Sequence, residues 1–183
     1  SINIKNVIKE DEVNPHVWTS IENYINQVKE ISQVLIQQNS ENKQIYEENT
    51  EKYIKDLEKV EKQYEEISQE LNGQKAICLN EALEYLAKDI KLEYISLHTD
   101  HDENSMSAES IKNIINKMNT ENIKIILIGK DDSIKNAEIL ANETNAKIYK
   151  LDTVLTGATD KNAYIDAANR NLEVLKSVLG DEK

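Results

Sequence analysis

Histidine offers the widest chemistry in this 183-residue chain, and there are three: His16, His98 and His101. A neutral imidazole can ligate a metal or move a proton near neutral pH. His98-Thr99-Asp100-His101-Asp102-Glu103 crowds two imidazoles and three carboxylates into six residues, a donor set suited to zinc or manganese. The same run also reads as a solvated acidic loop, because a metal site needs converging geometry that spacing does not supply. His16 stands in Asn14-Pro15-His16-Val17-Trp18, which holds the only Pro and the only Trp. Pro15 fixes its own φ and biases Asn14 away from helix, so the imidazole sits at a rigid turn before a helix starts. A histidine there either caps and packs or binds a metal.

Other chemistries lack their residues. The single Cys78 lies in the apolar run Lys75-Ala76-Ile77-Cys78-Leu79 without a basic neighbour, and reads as a small buried hydrophobe. Four glycines supply no Gly-x-Gly-x-x-Gly turn, no Walker loop and no Gly-x-Ser-x-Gly elbow. No catalytic constellation is present, so the chain reads as a binding protein and not an enzyme. A net charge of −12 repels nucleic acid and anionic lipid. No apolar run approaches the roughly 20 residues of a membrane span. The opening Ser1-Ile2-Asn3-Ile4-Lys5 lacks the apolar core of a secretory signal. It reads as the tail of a strand whose sheet lies elsewhere, in a chain cut from a longer protein.

The elements that must position these residues follow from periodicity. Ile21, Tyr24, Val28, Ile31 and Leu35 recur at spacings of three and four, predicting a helix from 17 to about 38 that Thr19 or Ser20 can cap. A second helix, about 41 to 71, carries the stripe Tyr46, Tyr53, Leu57, Val60, Tyr64, Ile67 and Leu71, and Gly73 stops it. That rod of roughly 45 Å serves equally as a coiled-coil arm or as a spine joining two lobes. Beyond Gly73 the pattern changes. Strands are predicted at 76–79, 92–97, 123–128 and 147–151, alternating with helices at 81–89, 108–119, 133–144 and 162–179. The fold class is therefore α/β: a long helical hairpin or spine, then a four-stranded parallel sheet with helices on both faces. Ligands in such sheets sit beyond the carboxyl ends of the strands. The loops 80–81, 98–106, 129–132 and 152–160 lie there.

Asn14-Pro15-His16-Val17-Trp18 resembles the (Asp/Asn)-Pro-His-(Val/Ile)-Trp motif of the zinc- and manganese-binding solute-binding lipoproteins of bacterial metal ABC importers. Further matches follow in the family's order. Residues 41–49 resemble the start of its spine helix, and Glu81-Ala82-Leu83-Glu84-Tyr85-Leu86-Ala87 resembles its His-(Asp/Glu)-Ala-(Phe/Leu)-x-Tyr-(Phe/Leu). Ser107-Ala108-Glu109-Ser110-Ile111, residues 141–149 and the closing Ala163-Tyr164 to Asn171-Leu172 continue the likeness.

The resemblance implies two α/β lobes bridged by a long helix, with metal held in the cleft between them. Residues 1–72 would then be the end of the first lobe plus the linking helix, and residues 73–183 the second lobe. It further implies metal ligation by His16, by the residue at Asn80, where the family has His or Glu, and by Asp152. Asn80 is a poorer ligand than either, so Glu81 could substitute; Asn80 could equally cap a helix and Asp152 a turn. His98 and His101 form an alternative ligand loop. The implied cargo is a divalent metal, zinc ahead of manganese, captured more strongly as pH rises through the histidine range. The implied partner is a cognate membrane permease, and the implied location is extracytoplasmic, at a membrane-anchored cell surface or in the periplasm. Without an upstream lobe the chain is expected to hold metal weakly or not at all. Residues 17–38 are expected to be poorly buried and to pack on a second copy, as a homodimer or domain swap. The alternative to metal capture is a surface adhesin or helix-mediated interaction protein.

Overall fold

A computed structural model describes residues 8–9, 12–97 and 106–180. Strands β1 (Ile8–Lys9) and β2 (Glu12–Val13) pair antiparallel in a local ribbon. The opening run expected to be the tail of a strand paired elsewhere lies outside the described residues up to residue 7; its last residue, Ile8, pairs with Val13 within this ribbon.

Helix α1 (Ile21–Gln38) starts where Ser20 accepts the Asn23 N–H, satisfying one of the amides that open any helix. Helix α2 (Lys43–Leu71) is 29 residues long and ends at Gly73, whose φ of +79° is open to glycine without strain. The sheet strands are β3 (Lys75–Cys78), β4 (Glu93–Ser96), β5 (Ile125–Gly129) and β6 (Lys147–Leu151). They lie in the order β4-β3-β5-β6, and every pair is parallel. The connecting helices are α3 (Glu84–Asp89), α4 (Ala108–Glu121) and α5 (Lys135–Thr144), with α6 (Ala163–Gly180) last. Asn122 and Asn145 close α4 and α5 in the left-handed conformation, a role asparagine fills when glycine is scarce.

Alternation along the strands divides the core in two. Ala76, Cys78, Ile125, Leu127, Tyr149 and Leu151 face one side and pack with α1, α2, α3 and α6. Ile77, Ile126 and Ile128 face the other, against Ile114, Met118, Ala137 and Leu140 of α4 and α5. Both faces of the sheet are therefore covered, as its continuous apolar strands require.

The helical hairpin divides along its length. Ile21 and Ile25 are buried in the chain's own core, so the expectation of poor burial fails for the first half of α1. The reason is that α2 and α6 pack together and the base of α1 closes over them. Toward the tip the stripe comes out: Ile31, Val34 and Leu35 of α1 and Ile45 of α2 are exposed. Burial on α2 begins only at Leu57.

This division sets the expected mutational costs. Leu57→Ala, at a fully enclosed position, is expected to cost about 3 kcal/mol, and Leu35→Ala less than about 0.5 kcal/mol, by urea unfolding. These costs hold for the monomer at low concentration; a cost at Leu35 that rises to about 1 kcal/mol or more with protein concentration would mean that a second copy covers the tip.

Candidate metal site

The strand order reverses direction between β3 and β5, where the chain goes outward to β4 and then crosses back. That switch point opens a crevice at the carboxyl ends of the two strands. Asn80, after β3, and Asp132, after β5, meet across it: Asn80 Nδ2 donates to Asp132 Oδ2 at 2.8 Å. The same oxygen accepts the Gly129 N–H at 2.7 Å. A Cβ on residue 129 would stand 2.7 Å from that oxygen, so only glycine lets the carboxylate approach. Asn80 Oδ1 accepts the Ala82 N–H at 2.8 Å, capping the short turn that precedes α3. Both ends of the Asn80 amide are thus engaged.

The turn that carries His16 is laid across these loops by four hydrogen bonds from distant sequence. Asn14 Nδ2 donates to the Glu81 carbonyl at 2.9 Å, and the Tyr85 hydroxyl donates to the Asn14 carbonyl at 2.8 Å. Trp18 Nε1 donates to the Thr153 carbonyl at 3.1 Å, and the Tyr164 hydroxyl to the Trp18 carbonyl at 2.8 Å. Asn14 is buried, and its amide orientation follows from its partners. Nδ2 reaches Glu81 and, at 3.4 Å, Glu84 Oε2, so Oδ1 faces His16. Oδ1 accepts from the His16 N–H and from Nδ1, each at 2.9 Å. Nδ1 therefore carries the ring proton, and Nε2 keeps the lone pair that a metal needs. Trp18 stands edge-on to the imidazole at 5.4 Å, and Glu81 Oε1 lies 3.9 Å from Nδ1.

Asp152 follows β6, and its side chain is only 3% exposed. Oδ2 accepts from Lys130 Nζ at 2.9 Å and from Arg170 Nη2 at 3.0 Å, and Oδ1 accepts the Val154 N–H at 2.9 Å. Asn171 holds the Asp152 backbone at both its N–H and its carbonyl. Burial alone would raise the carboxyl, but the bonds from Lys130, Val154 and Arg170 hold it below its ordinary value of 3.8. Val154 has a φ of +56°, a strained setting for a β-branched residue, and the hydrogen bond to Asp152 helps keep it there.

Of the residues singled out from sequence, His16 and Glu81 come together, Asn80 joins Asp132, and Asp152 sits with two cations. His98 and His101 lie outside the described residues. Among the described residues, no group of three or more His, Cys, Asp and Glu side chains is clustered for a metal. Sequence reading passed over Asn14, Lys130, Asp132 and Arg170. Lys130 and Asp132 fall in a loop flagged as lying beyond a strand end, and Asn14 opens the motif around His16 without its role being readable, whereas nothing in the pattern marked Arg170. Beside the site, Trp18, Tyr24, Tyr53, Tyr164 and the loop residues 154–158, 160, 161 and 163 line an open cavity of about 690 Å³, with Tyr24 stacked on Tyr164 at 3.5 Å.

The sheet, its switch point and the docked histidine turn define an α/β ligand-binding lobe. The chain belongs to the ZnuA family, described as zinc-uptake complex component A periplasmic, whose sequence profile matches residues 3–178. It is 31% identical over 172 residues to the high-affinity zinc uptake system protein ZnuA of Bacillus subtilis (strain 168), covering 91% of this chain and 54% of that one. The metal-dependent lipoprotein YcdH of Bacillus subtilis has a solved structure with 29% identity and a TM-score of 0.75, over 93% of this chain and 66% of that one. The substrate-binding protein FpvC of Pseudomonas aeruginosa, solved with Mn2+, superposes with a TM-score of 0.82 at 22% identity, over 99% and 68%. The chain spans about half the length of the curated relatives it matches.

The Asp152 cluster fixes an acid response. A carboxyl with a depressed folded pKa contributes stability above its unfolded value and loses it as pH falls through the folded one. Asp152→Asn is therefore expected to destabilise the chain at pH 7 and to flatten the stability loss below about pH 4, measured by urea unfolding across pH. An unchanged acid slope would mean that the cluster does not form in solution.

Proposed function

We propose that this chain is the cargo-binding part of an extracytoplasmic substrate-binding component of a metal ABC importer, with a zinc-class divalent cation ahead of manganese as cargo. The observation that carries this is the fixed tautomer of His16: Asn14 takes the Nδ1 proton and leaves Nε2 as a donor at the sheet's ligand-binding end. Binding, not catalysis, is the task, and the named relatives are transporter proteins. Asp152 supplies a carboxylate once one of its cations moves aside. Asn80 acts through Asp132 and its helix cap, and Glu81 or Asp132 supplies the carboxylate that Asn80 lacks. His98 and His101 remain the alternative ligand loop. Residues 1–72 serve as the end of a first lobe plus the linking helix, residues 73–183 form the second lobe, and the cargo passes to a cognate membrane permease. Among the described residues no helix is long and apolar enough to cross a membrane, and several relatives are named as lipoproteins. Both fit a protein anchored at the cell surface or held in the periplasm. The adhesin reading is not the better supported of the two.

Zinc ordinarily takes four ligands; His16, Asp152 and one carboxylate from Glu81 or Asp132 make three, and Asp152 is already held by two cations. The chain by itself is expected to bind zinc only weakly by calorimetry, and His16→Ala is expected to abolish that binding. Binding indifferent to His16→Ala would overturn the assignment. A submicromolar one-to-one site that survives His98→Ala with His101→Ala but vanishes in His16→Ala would overturn the expected weakness.

The hairpin tip bears on assembly. From Ile31 to Ser40 the sequence holds no charged residue, although 31% of the chain is charged. In a chain of net charge −12, two copies repel least along such a surface. We infer that two copies pair through Ile31, Val34 and Leu35. Light scattering should show a dimer that Val34→Lys returns to monomer; a monomer at high concentration would overturn the pairing.

A further inference from the structure

We propose that Lys130 is a tethered counter-cation holding the cargo's place at Asp152, so that a divalent ion binds there only by expelling the lysine ammonium. The inference rests on the metal-capture reading and adds a residue that sets its affinity. Both oxygens of the buried Asp152 carboxylate are occupied, and one of them bears two positive charges, Lys130 at 2.9 Å and Arg170 at 3.0 Å. A metal ligated by carboxylate stands about 2.0–2.2 Å from its oxygen. It cannot share Oδ2 with an ammonium and a guanidinium without strong repulsion. One cation must leave.

The two are not equally free to go. Arg170 precedes Asn171, which grips the Asp152 backbone at 2.6 and 2.9 Å, so α6 keeps its guanidinium close to the carboxylate. Lys130 stands in the loop after β5, its own N–H bound to the Leu151 carbonyl; its side chain is 36% exposed against 60% for Arg170, so exposure does not choose between them and the nature of the charged group does. The lysine charge sits on a flexible four-carbon stem and is strongly hydrated, so water accepts it readily. Lys130 is therefore the leaving cation and Arg170 the permanent one. In the absence of cargo, Lys130 keeps a buried carboxylate from standing alone. When the metal departs, its return to Asp152 competes against recapture, which favours delivery over retention.

The test uses the 183-residue chain with Mn2+ as a paramagnetic probe, reading the broadening of the His16 imidazole NMR signals, with zinc calorimetry alongside. Lys130→Gln is expected to tighten binding at least tenfold while lowering the urea midpoint of the metal-free chain. A purely structural lysine would not produce these opposite signs. Lys135→Gln, the loss of one charge at the start of α5, is expected to change affinity less than twofold. In the Asp152→Asn background the gain from Lys130→Gln should vanish. Unchanged or weaker binding in Lys130→Gln, no measurable binding in any variant, or a gain that persists without Asp152 would overturn the proposal. A separate arm, His16→Ala, judges the underlying reading: metal binding that ignores this change sinks the capture site itself, whatever Lys130 does.

Discussion

The docking of residues 14–18 over the carboxyl ends of the sheet is the contact on which the rest of the site depends. This turn is separated from the sheet by two helices, yet it is bound to Glu81, Tyr85, Thr153 and Tyr164 by four hydrogen bonds. Long-range bonds of this kind are buried or half-buried, where a lost partner leaves a polar group unsatisfied. Asn14 joins the two tasks. One end of its amide holds the turn after β3, and the other holds the imidazole of His16. Position and protonation of the histidine thus follow from one side chain. Helix α1 starts directly after this anchor, so the base of the hairpin is fixed in the same step and its apolar stripe is drawn into the core.

Charge compensation shapes what lies beneath the turn. The chain carries a large acidic surplus, but the carboxylates Asp132 and Asp152 at the strand ends are each matched. Asp132 is met by a backbone N–H and the Asn80 amide, and Asp152 by Lys130, Arg170 and the Val154 N–H. Buried charge left alone is costly, so each such group must either find a partner or lose its charge. The geometry around Asp152 joins three elements, the loop after β5, the end of β6 and α6. The charge of Asp152 is thereby tied to the packing of that whole edge of the sheet, and the strained φ of Val154 marks the same spot.

The hairpin tip follows a different rule. Apolar spacing continues along α1 beyond the point where the globular part ends, leaving Ile31, Val34 and Leu35 in the open beside Ile45. At that level Ser32 and Thr50 join their hydroxyls at 2.8 Å between the two helices. The hairpin is therefore tied together by a polar contact where its apolar face loses its cover.

The order of elements, the parallel sheet, both covered faces and the importance of the loops beyond the strands were legible in the sequence. Each depends on local periodicity, on Gly73 and on caps such as Ser20, all properties of neighbouring residues. The turn that carries His16 ahead of a helix was legible too, because Pro15 and Trp18 frame it. The partners of these residues were not. That Asn80 would bridge to Asp132, that Lys130 and Arg170 would converge on Asp152, and that Asn14 would set the tautomer of His16 depend on which strand ends the fold makes adjacent. Nor could spacing tell that the stripe of α1 divides at Val28 into buried and exposed halves, since a helix repeats its pattern regardless of where its neighbour stops. Periodicity acts over a few residues, whereas hydrogen bonds and ion pairs form wherever chain crossings bring groups within about 3 Å.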